Sequence, residues 1–253
     1  MKPSTVSNLL DVNRQFYQTF ALQFSQTRQR IQPGVRQLVD RIPNHVRILD
    51  LGCGNGFLWQ YLYNQGYRGP YVGIDSSADL LKIARADIPL QAKVKPQFLE
   101  IDLSNPSWKQ ELVNGCTSHK EFPSPPVFDF ILAFAVLHHI PGQKLRQELL
   151  RNIKSLLSSD GKFIHSEWQF QNNPRIRGRI QPWEKIGLDE SQLDEGDYLI
   201  DWRHGGIGLR YVHLLTEVEL TRLAEELNFR ILETYYSDGQ NDNQGLYQVW
   251  MAE

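Results

Sequence analysis

Residues 48–57 read ILDLGCGNGF, an apolar run closed by glycines at every second position, Gly52, Gly54 and Gly56. The run VRILDL (46–51) has the aliphatic composition of a buried strand, and residues 57–64 read as a helix with Gly66 as its stop. Glycine lacks a Cβ, so main chain at such a turn can approach a ligand closely. The ligand need not be a dinucleotide. That fingerprint spaces its glycines G-x-G-x-x-G, whereas here Gly56 falls one place early and Phe57 stands at the third-glycine position. No G-x-x-x-x-G-K-[ST] occurs, which excludes a phosphate-cradling loop in its usual form.

Outward from the turn, strands and helices alternate. PYVGID (70–75) reads as a second strand, and Ser76-Ser77-Ala78-Asp79 opens a helix with good N-cap chemistry. PQFLEIDL (96–103) is a third strand. FDFILAFAVL (128–137) is nearly continuous in apolar residues, as a strand covered on both faces should be. KLRQELLRNIKSLL (144–157) is an amphipathic helix ended by Asp160-Gly161, and KFIHSEW (162–168) is a fifth strand. TEVELTRLAEELNF (216–229) is a late helix, flanked by ILETYYS and LYQVWMA. Ahead of the core, Leu10, Phe16, Phe20 and Phe24 recur at roughly helical spacing over 7–30. Pro33-Gly34 then punctuates, and 35–41 reads as a short helix.

The alternation predicts an α/β fold, a doubly wound and mostly parallel sheet. The helical N-terminus and a stretch rich in Arg, Trp, Asp and Glu at 169–212 interrupt the rhythm. Both are placed to cover the carboxyl ends of the strands, where ligands bind in open sheets. The expected organisation is one domain over 1–253: a helical cap (1–42), a core (43–168), a lid or insertion (169–212) and a C-terminal helix with strands (213–253).

Composition bounds the function. Of 253 residues 41% are hydrophobic and 22% charged, a globular balance, and the net charge of −2 offers no global field for nucleic acid. Two cysteines, Cys53 and Cys116, can build neither a disulfide framework nor a four-thiolate zinc site, so no metal is expected and a cytoplasmic location is. The stretch MKPSTVSNLLDVNRQ lacks the apolar centre of a signal peptide, and no run is long enough to span a bilayer.

Asp50-Leu-Gly-Cys-Gly-Asn-Gly56 resembles the first motif of the class I S-adenosylmethionine-dependent methyltransferases. The resemblance implies S-adenosyl-L-methionine as cofactor and a seven-stranded sheet with an antiparallel last strand. It also implies a binding site of Asp50 near the methionyl ammonium, Gly52, Gly54 and Gly56 in the turn, and Asp75 with Ser76 at the ribose hydroxyls. Asp102 and Leu103 fall near the adenine, and Phe134 and Ala135 line the point of methyl transfer. Such transfer needs alignment first and a base only where the acceptor must lose a proton. His138, in Leu137-His-His-Ile-Pro141, is a candidate base. Equally, it or His139 packs under the sheet edge or caps a turn.

The flanks narrow the resemblance. Phe24-Ser-Gln-Thr-Arg28, preceded by Phe16-Tyr17, joins Ala135-Val-Leu-His-His139 and Arg210-Tyr-Val-His-Leu214. Together they are similar to the tRNA methyltransferases that esterify carboxymethyluridine at the wobble position, over roughly 15–250. The implied acceptor is a carboxylate on a modified tRNA, which needs cations to orient it rather than a base. By that resemblance Tyr17 and Arg28 lie over cofactor and acceptor, and Arg210 and His213 on the acceptor side. The plainer roles are a surface arginine at Arg28 and an ion pair at Arg210.

The stretch 170–212 departs from a nucleic-acid surface, with six basic residues against seven acidic. PRIRGR (174–179) suits phosphate or plain solvent. DEGDYLIDW (194–202) suits a small ligand walled by Trp183, Tyr198 and Trp202. Two alternatives therefore stand beside the tRNA acceptor: a small-metabolite methyltransferase with this stretch as its lid, and a non-catalytic, cofactor-binding regulatory module. Eukaryotic tRNA enzymes of this kind act with a small zinc-binding activator subunit, and nothing in the sequence itself points to such a partner.

Overall fold

The computed structural model describes residues 1–27, 30–116, 123 and 125–253. Two helices lead the chain, α1 (Pro3–Gln26), which kinks at Phe20, and α2 (Pro33–Val39). Strands and helices then alternate: β1 (Ile48–Leu51), α3 (Phe57–Asn64), β2 (Tyr71–Asp75), α4 (Ala78–Ala86) and β3 (Gln97–Glu100). There follow α5 (Trp108–Cys116), β4 (Phe128–Phe134), α6 (Gln143–Leu156) and β5 (Leu157–Trp168). The next stretch carries the single turn α7 (Pro174–Arg177) and the strands β6 (Ile180–Gln181), β7 (Asp197–Trp202) and β8 (Gly208–His213). Helix α8 (Glu217–Glu226) and strands β9 (Phe229–Ser237) and β10 (Gly245–Ala252) end the chain.

Seven strands form one sheet in the order β3-β2-β1-β4-β5-β10-β9. Pairing is parallel from β3 through β5, and β10 runs antiparallel between β5 and β9, so the expected architecture is the observed one. Successive strand residues face opposite sides, and the core divides accordingly. Leu49, Leu51, Ile131 and Ala133 pack with residues of α5, α6 and α8, such as Leu112, Leu150 and Leu220. Ile48, Leu132 and Ile164 pack with Leu38, Trp59 and Leu81 from α2, α3 and α4. Helices on both faces cover the central strands, which is why β1 and β4 read as nearly continuous apolar runs, broken only by Asp50 and Asp129.

Within the expected Ser76-Ser77-Ala78-Asp79 opening, Ser77 caps α4 by accepting from the Leu80 amide. Two boundaries differ from the sequence reading. β3 stops at Glu100, so Asp102 lies in the loop beyond it. Asp160-Gly161 does not end the helix: β5 starts at Leu157, directly after α6, and the pair sits in an irregularity where Phe128 pairs with Leu157 but Phe130 with Lys162.

The three strands β6-β7-β8 form a separate antiparallel sheet. Helix α1 packs on it through Leu9 against Leu199 and Tyr211, and through Phe16 and Phe20 against Trp202. Asn13 fastens the contact, since its Oδ1 accepts from the Tyr211 amide (2.8 Å) while its Nδ2 donates to the His139 carbonyl (3.3 Å). The two segments that interrupt the alternating rhythm are thus packed together at the carboxyl ends of the core strands.

Candidate active site

A cavity of about 690 Å³ opens where β1, β2, β4 and β5 end. Its floor includes Asp50, Gly52, Gly54, Asp75, Phe134 and Ala135, and α1 and β8 contribute Tyr17 and Arg210. The glycine turn explains its own composition. Gly54 has φ +55°, and a Cβ there would meet nothing within 4 Å, so the turn presents open space to the cavity. Gly56, at φ +71°, has no such room: a Cβ would lie 2.8 Å from the Ala84 Cβ and 2.9 Å from Phe98. Gly54 thus serves the cavity and Gly56 the packing of turn on helix.

Two buried acids flank the turn. Asp50 accepts from the Tyr71 hydroxyl at 2.5 Å. Burial pushes its carboxyl up to about 7, against the pull of that hydrogen bond and with some help from Asp75. Asp75 accepts from the amides of Gly54 (2.9 Å) and Ser77 (2.8 Å), and burial still holds its pKa above the ordinary value. These groups are poised for a cation or for hydroxyl donors, which would stabilise the charged form that burial disfavours. Further along the rim, Asp102 accepts from the Ser104 amide and hydroxyl and pairs with Arg14 of α1 at 3.4 Å. Ser76 and Leu103 also line the cavity.

At the end of β4, Ala135 adopts φ +60°, a left-handed conformation that costs an L-residue about 1–2 kcal/mol. Its amide is held by the Ser166 carbonyl at 3.0 Å. The single 3₁₀ turn Leu137–His139 follows. His138 is buried and lines the cavity, with Nδ1 3.1 Å from Glu167. His139 serves the roof: its Nδ1 lies 3.2 Å from the Tyr211 carbonyl, which can only accept, so that nitrogen carries the proton. The remaining ring nitrogen accepts from the Tyr17 hydroxyl at 2.9 Å. Ser25 ties the far end of α1 to the glycine turn through Asn55 (2.9 Å).

Arg210 is only 8% exposed. Its guanidinium lies over Trp168 (4.8 Å), Phe16 (5.5 Å) and Trp202 (5.6 Å), and Phe24 and Tyr17 continue the aromatic wall.

Some expected residues fall elsewhere. Gly56 faces α4 rather than the cavity, and Arg28 lies outside the described residues. His213 is buried behind the cavity, with Nδ1 2.7 Å from Asp197 and Nε2 3.0 Å from Glu219. Burial lowers its pKa, but those two bonds outweigh burial and carry it above the ordinary histidine value. It fastens β7 and β8 to α8. Of the supposed apolar walls only Trp202 lines the cavity; Trp183 packs with Leu9 and Leu199, and Tyr198 packs on Phe170. The sequence reading missed Asn13, Arg14, Ser166, Glu167 and Trp168. For Glu167 a signal existed, an acid inside the apolar strand FIHSEW.

Among the described residues no group of three or more His, Cys, Asp or Glu side chains is arranged to hold a metal ion. No helix among them is long and apolar enough to cross a membrane.

The family described as methyltransferase domain matches residues 24–234. An uncharacterized methyltransferase of Schizosaccharomyces pombe is 30% identical over 186 residues, 73% of this chain, which spans 59% of that protein's length. The tRNA (carboxymethyluridine(34)-5-O)-methyltransferase of the same yeast is 26% identical over 88% of this chain and 90% of its own. A trans-aconitate 2-methyltransferase of Azoarcus is 31% identical over 53% of this chain and 44% of its own. Among solved structures, an S-adenosylmethionine-dependent methyltransferase of Methanosarcina mazei superposes with a TM-score of 0.61 at 19% identity, over 88% of this chain and 99% of its own. The chain belongs to the methyltransferase domain family and folds as an S-adenosylmethionine-dependent methyltransferase.

Proposed function

We propose that the cavity binds S-adenosylmethionine and that the protein esterifies a carboxylate carried by a modified uridine at the wobble position of tRNA. One observation carries the proposal: a single cavity holds both a glycine turn between two buried acids and a buried arginine set among aromatic rings. The acids and the open space at Gly54 fit the cofactor. Asp50 faces the methionyl ammonium, Asp75 and Ser76 the ribose, Asp102 and Leu103 the adenine, and Phe134 and Ala135 the methyl group. When bound, the cofactor supplies a methyl group on a positively charged sulfur.

The chain's own contribution is position. A carboxylate reaches the site already deprotonated, so nothing needs to remove a proton. Arg210 offers the planar fork that grips a carboxylate through two hydrogen bonds, and the rings around it exclude water and strengthen that contact. Tyr17, held by His139, closes the roof. Alignment of this kind supplies a large share of the rate for a displacement between two bound partners.

Support for the tRNA acceptor comes from the carboxymethyluridine methyltransferase, nearly all of whose length this chain matches, and from the FSQTR and RYVHL segments. A small-molecule carboxylate is the second reading. The even charge of 170–212 and the resemblance to trans-aconitate methyltransferases favour it. Incubation with methyl-labelled cofactor and separate tRNA and small-acid fractions, trans-aconitate included, decides between them. Label in tRNA that mild base releases supports the wobble ester. Label only in the acid fraction removes it, and cofactor binding without any transfer means a regulatory module.

A further inference from the structure

Glu167 is a fully buried acid whose two oxygens meet two histidines. Oε2 lies 3.1 Å from Nδ1 of His138, and Oε1 lies 3.1 Å from Nδ1 of His165. Which atoms carry the protons follows from the hydrogen bonds. His165 is stacked on Phe163 and edge-on to Trp250, and burial lowers its pKa to about 3, so it is neutral with one ring proton. Its Nε2 is buried without a hydrogen-bond partner among the described residues. A buried N–H without an acceptor costs more than an unused lone pair, so the proton sits on Nδ1 and is donated to Oε1 of Glu167. Burial also pushes the Glu167 carboxyl well above the ordinary range. The Trp168 amide donates to Nδ1 of His138 at 3.4 Å, so that nitrogen is an acceptor and the ring proton is on Nε2. Oε2 of Glu167 lies 3.1 Å from the same accepting nitrogen, a contact that is favourable when Oε2 carries the carboxyl proton, and burial disfavours the ionised form in the same sense.

Against burial, the His138 backbone amide and then Arg146 of α6 favour ionisation of Glu167, and Glu219 of α8 opposes it. Arg146 and Glu219 pair with each other at 3.3 Å.

We infer that Glu167 is a positioning residue that holds His138 in its Nε2–H form, so that His138 donates a hydrogen bond to the methyl acceptor and does not take a proton from it. The inference deepens the proposed function and rests on it, because it limits the acceptor to a group that arrives as an anion. A carboxylate qualifies. A phenol, alcohol or protonated amine would need a lone pair on Nε2, and the Glu167 carboxyl holds the ring in the opposite tautomer.

Nitrogen NMR of the full chain labelled with ¹⁵N-histidine tests the tautomer without any acceptor. The His138 signals are identified by their loss in His138→Gln. The expected result at pH 7.5 is a protonated Nε2 and an accepting Nδ1, both in the wild type and in Glu167→Gln. A protonated Nδ1, or a doubly protonated ring, overturns the inference. A kinetic arm uses tRNA bearing 5-carboxymethyluridine, with trans-aconitate as the second acceptor. Glu167→Leu is expected to lose about 10²-fold in kcat, the scale of a misplaced catalytic contact, with cofactor affinity by calorimetry within about twofold. Glu167→Gln, whose amide can donate at one end and accept at the other, recovers to within about tenfold of the wild type. A Gln variant as slow as the Leu variant overturns the inference, because it would mean that an ionised Glu167 is required. If the wild type methylates neither acceptor, the proposed function falls, and with it the assignment of a role in transfer to Glu167, while the NMR result still decides the tautomer.

Discussion

Binding of the cofactor should weaken as pH falls below 7, and Asp50 sets the slope. In the ligand-free cavity burial raises its carboxyl to about 7, with Tyr71 pulling the other way and Asp75 adding to the rise. A cationic ammonium binds the carboxylate and not the acid, so below that pKa binding must expel a proton. At pH 6 about one tenth of Asp50 is ionised, and the expected affinity is about tenfold below its plateau, or about 1.4 kcal/mol. Between pH 5.5 and 7 the ammonium of the ligand stays protonated, so the slope belongs to the protein. Titration calorimetry across that window is the assay. Asp50→Asn should bind more weakly and with most of the slope gone; any residue of slope belongs to Asp75, whose pKa is also raised. The stability effect has the opposite sign. A carboxyl with a raised folded-state pKa favours the fold at low pH and loses that contribution as pH rises from its ordinary range through about 7. The ceiling on that loss is on the order of 4 kcal/mol, so the ligand-free Asp50→Asn protein should melt above the wild type at pH 8. A wild-type affinity that is flat from pH 5.5 to 7 would refute the assignment of Asp50 to the cation.

The glycine turn should separate binding from folding. Gly54→Ala adds a Cβ in open space, costs about 1 kcal/mol of backbone strain and lowers cofactor affinity, whereas Gly56→Ala adds a clash and lowers the Tm further, as paired thermal melts and calorimetry will show. Arg210→Lys keeps the charge but loses the planar fork and its stacking. The acceptor KM should rise about tenfold, the size of one lost charged hydrogen bond, with cofactor affinity within about twofold, and an equal loss of both would make Arg210 structural. His213 has a raised pKa, so its contribution to stability is present below the ordinary histidine value and is lost as pH rises through the folded one. The difference in Tm between wild type and His213→Gln should therefore be larger at pH 6 than at pH 9.

The sheet was legible because its central strands are covered on both faces, and apolar runs such as FDFILAFAVL can be little else in an alternating chain. Helix α5 was not. Its buried residues Trp108, Leu112 and Cys116 are spaced four apart, but Asn114-Gly115 near its end reads as a breaker. Asp50 and Asp75 were found because motif and strand end coincide at both. Glu167 went unseen because it was counted as part of a strand rather than as an acid misplaced inside one. His213 shows how a motif misleads when geometry is left out. On a strand, residues three apart face opposite ways, so a ligand on the Arg210 side of β8 cannot also meet His213. The pairing bears this out: His213 stands opposite Asp197 and bonds it, while Arg210 stands opposite Ile200, on the face that carries Trp202. The parity of 208–213 is visible in the sequence alone: it puts Arg210 on the cavity side of β8, where the proposed acceptor would bind, and His213 on the side that fastens the strand to β7 and α8.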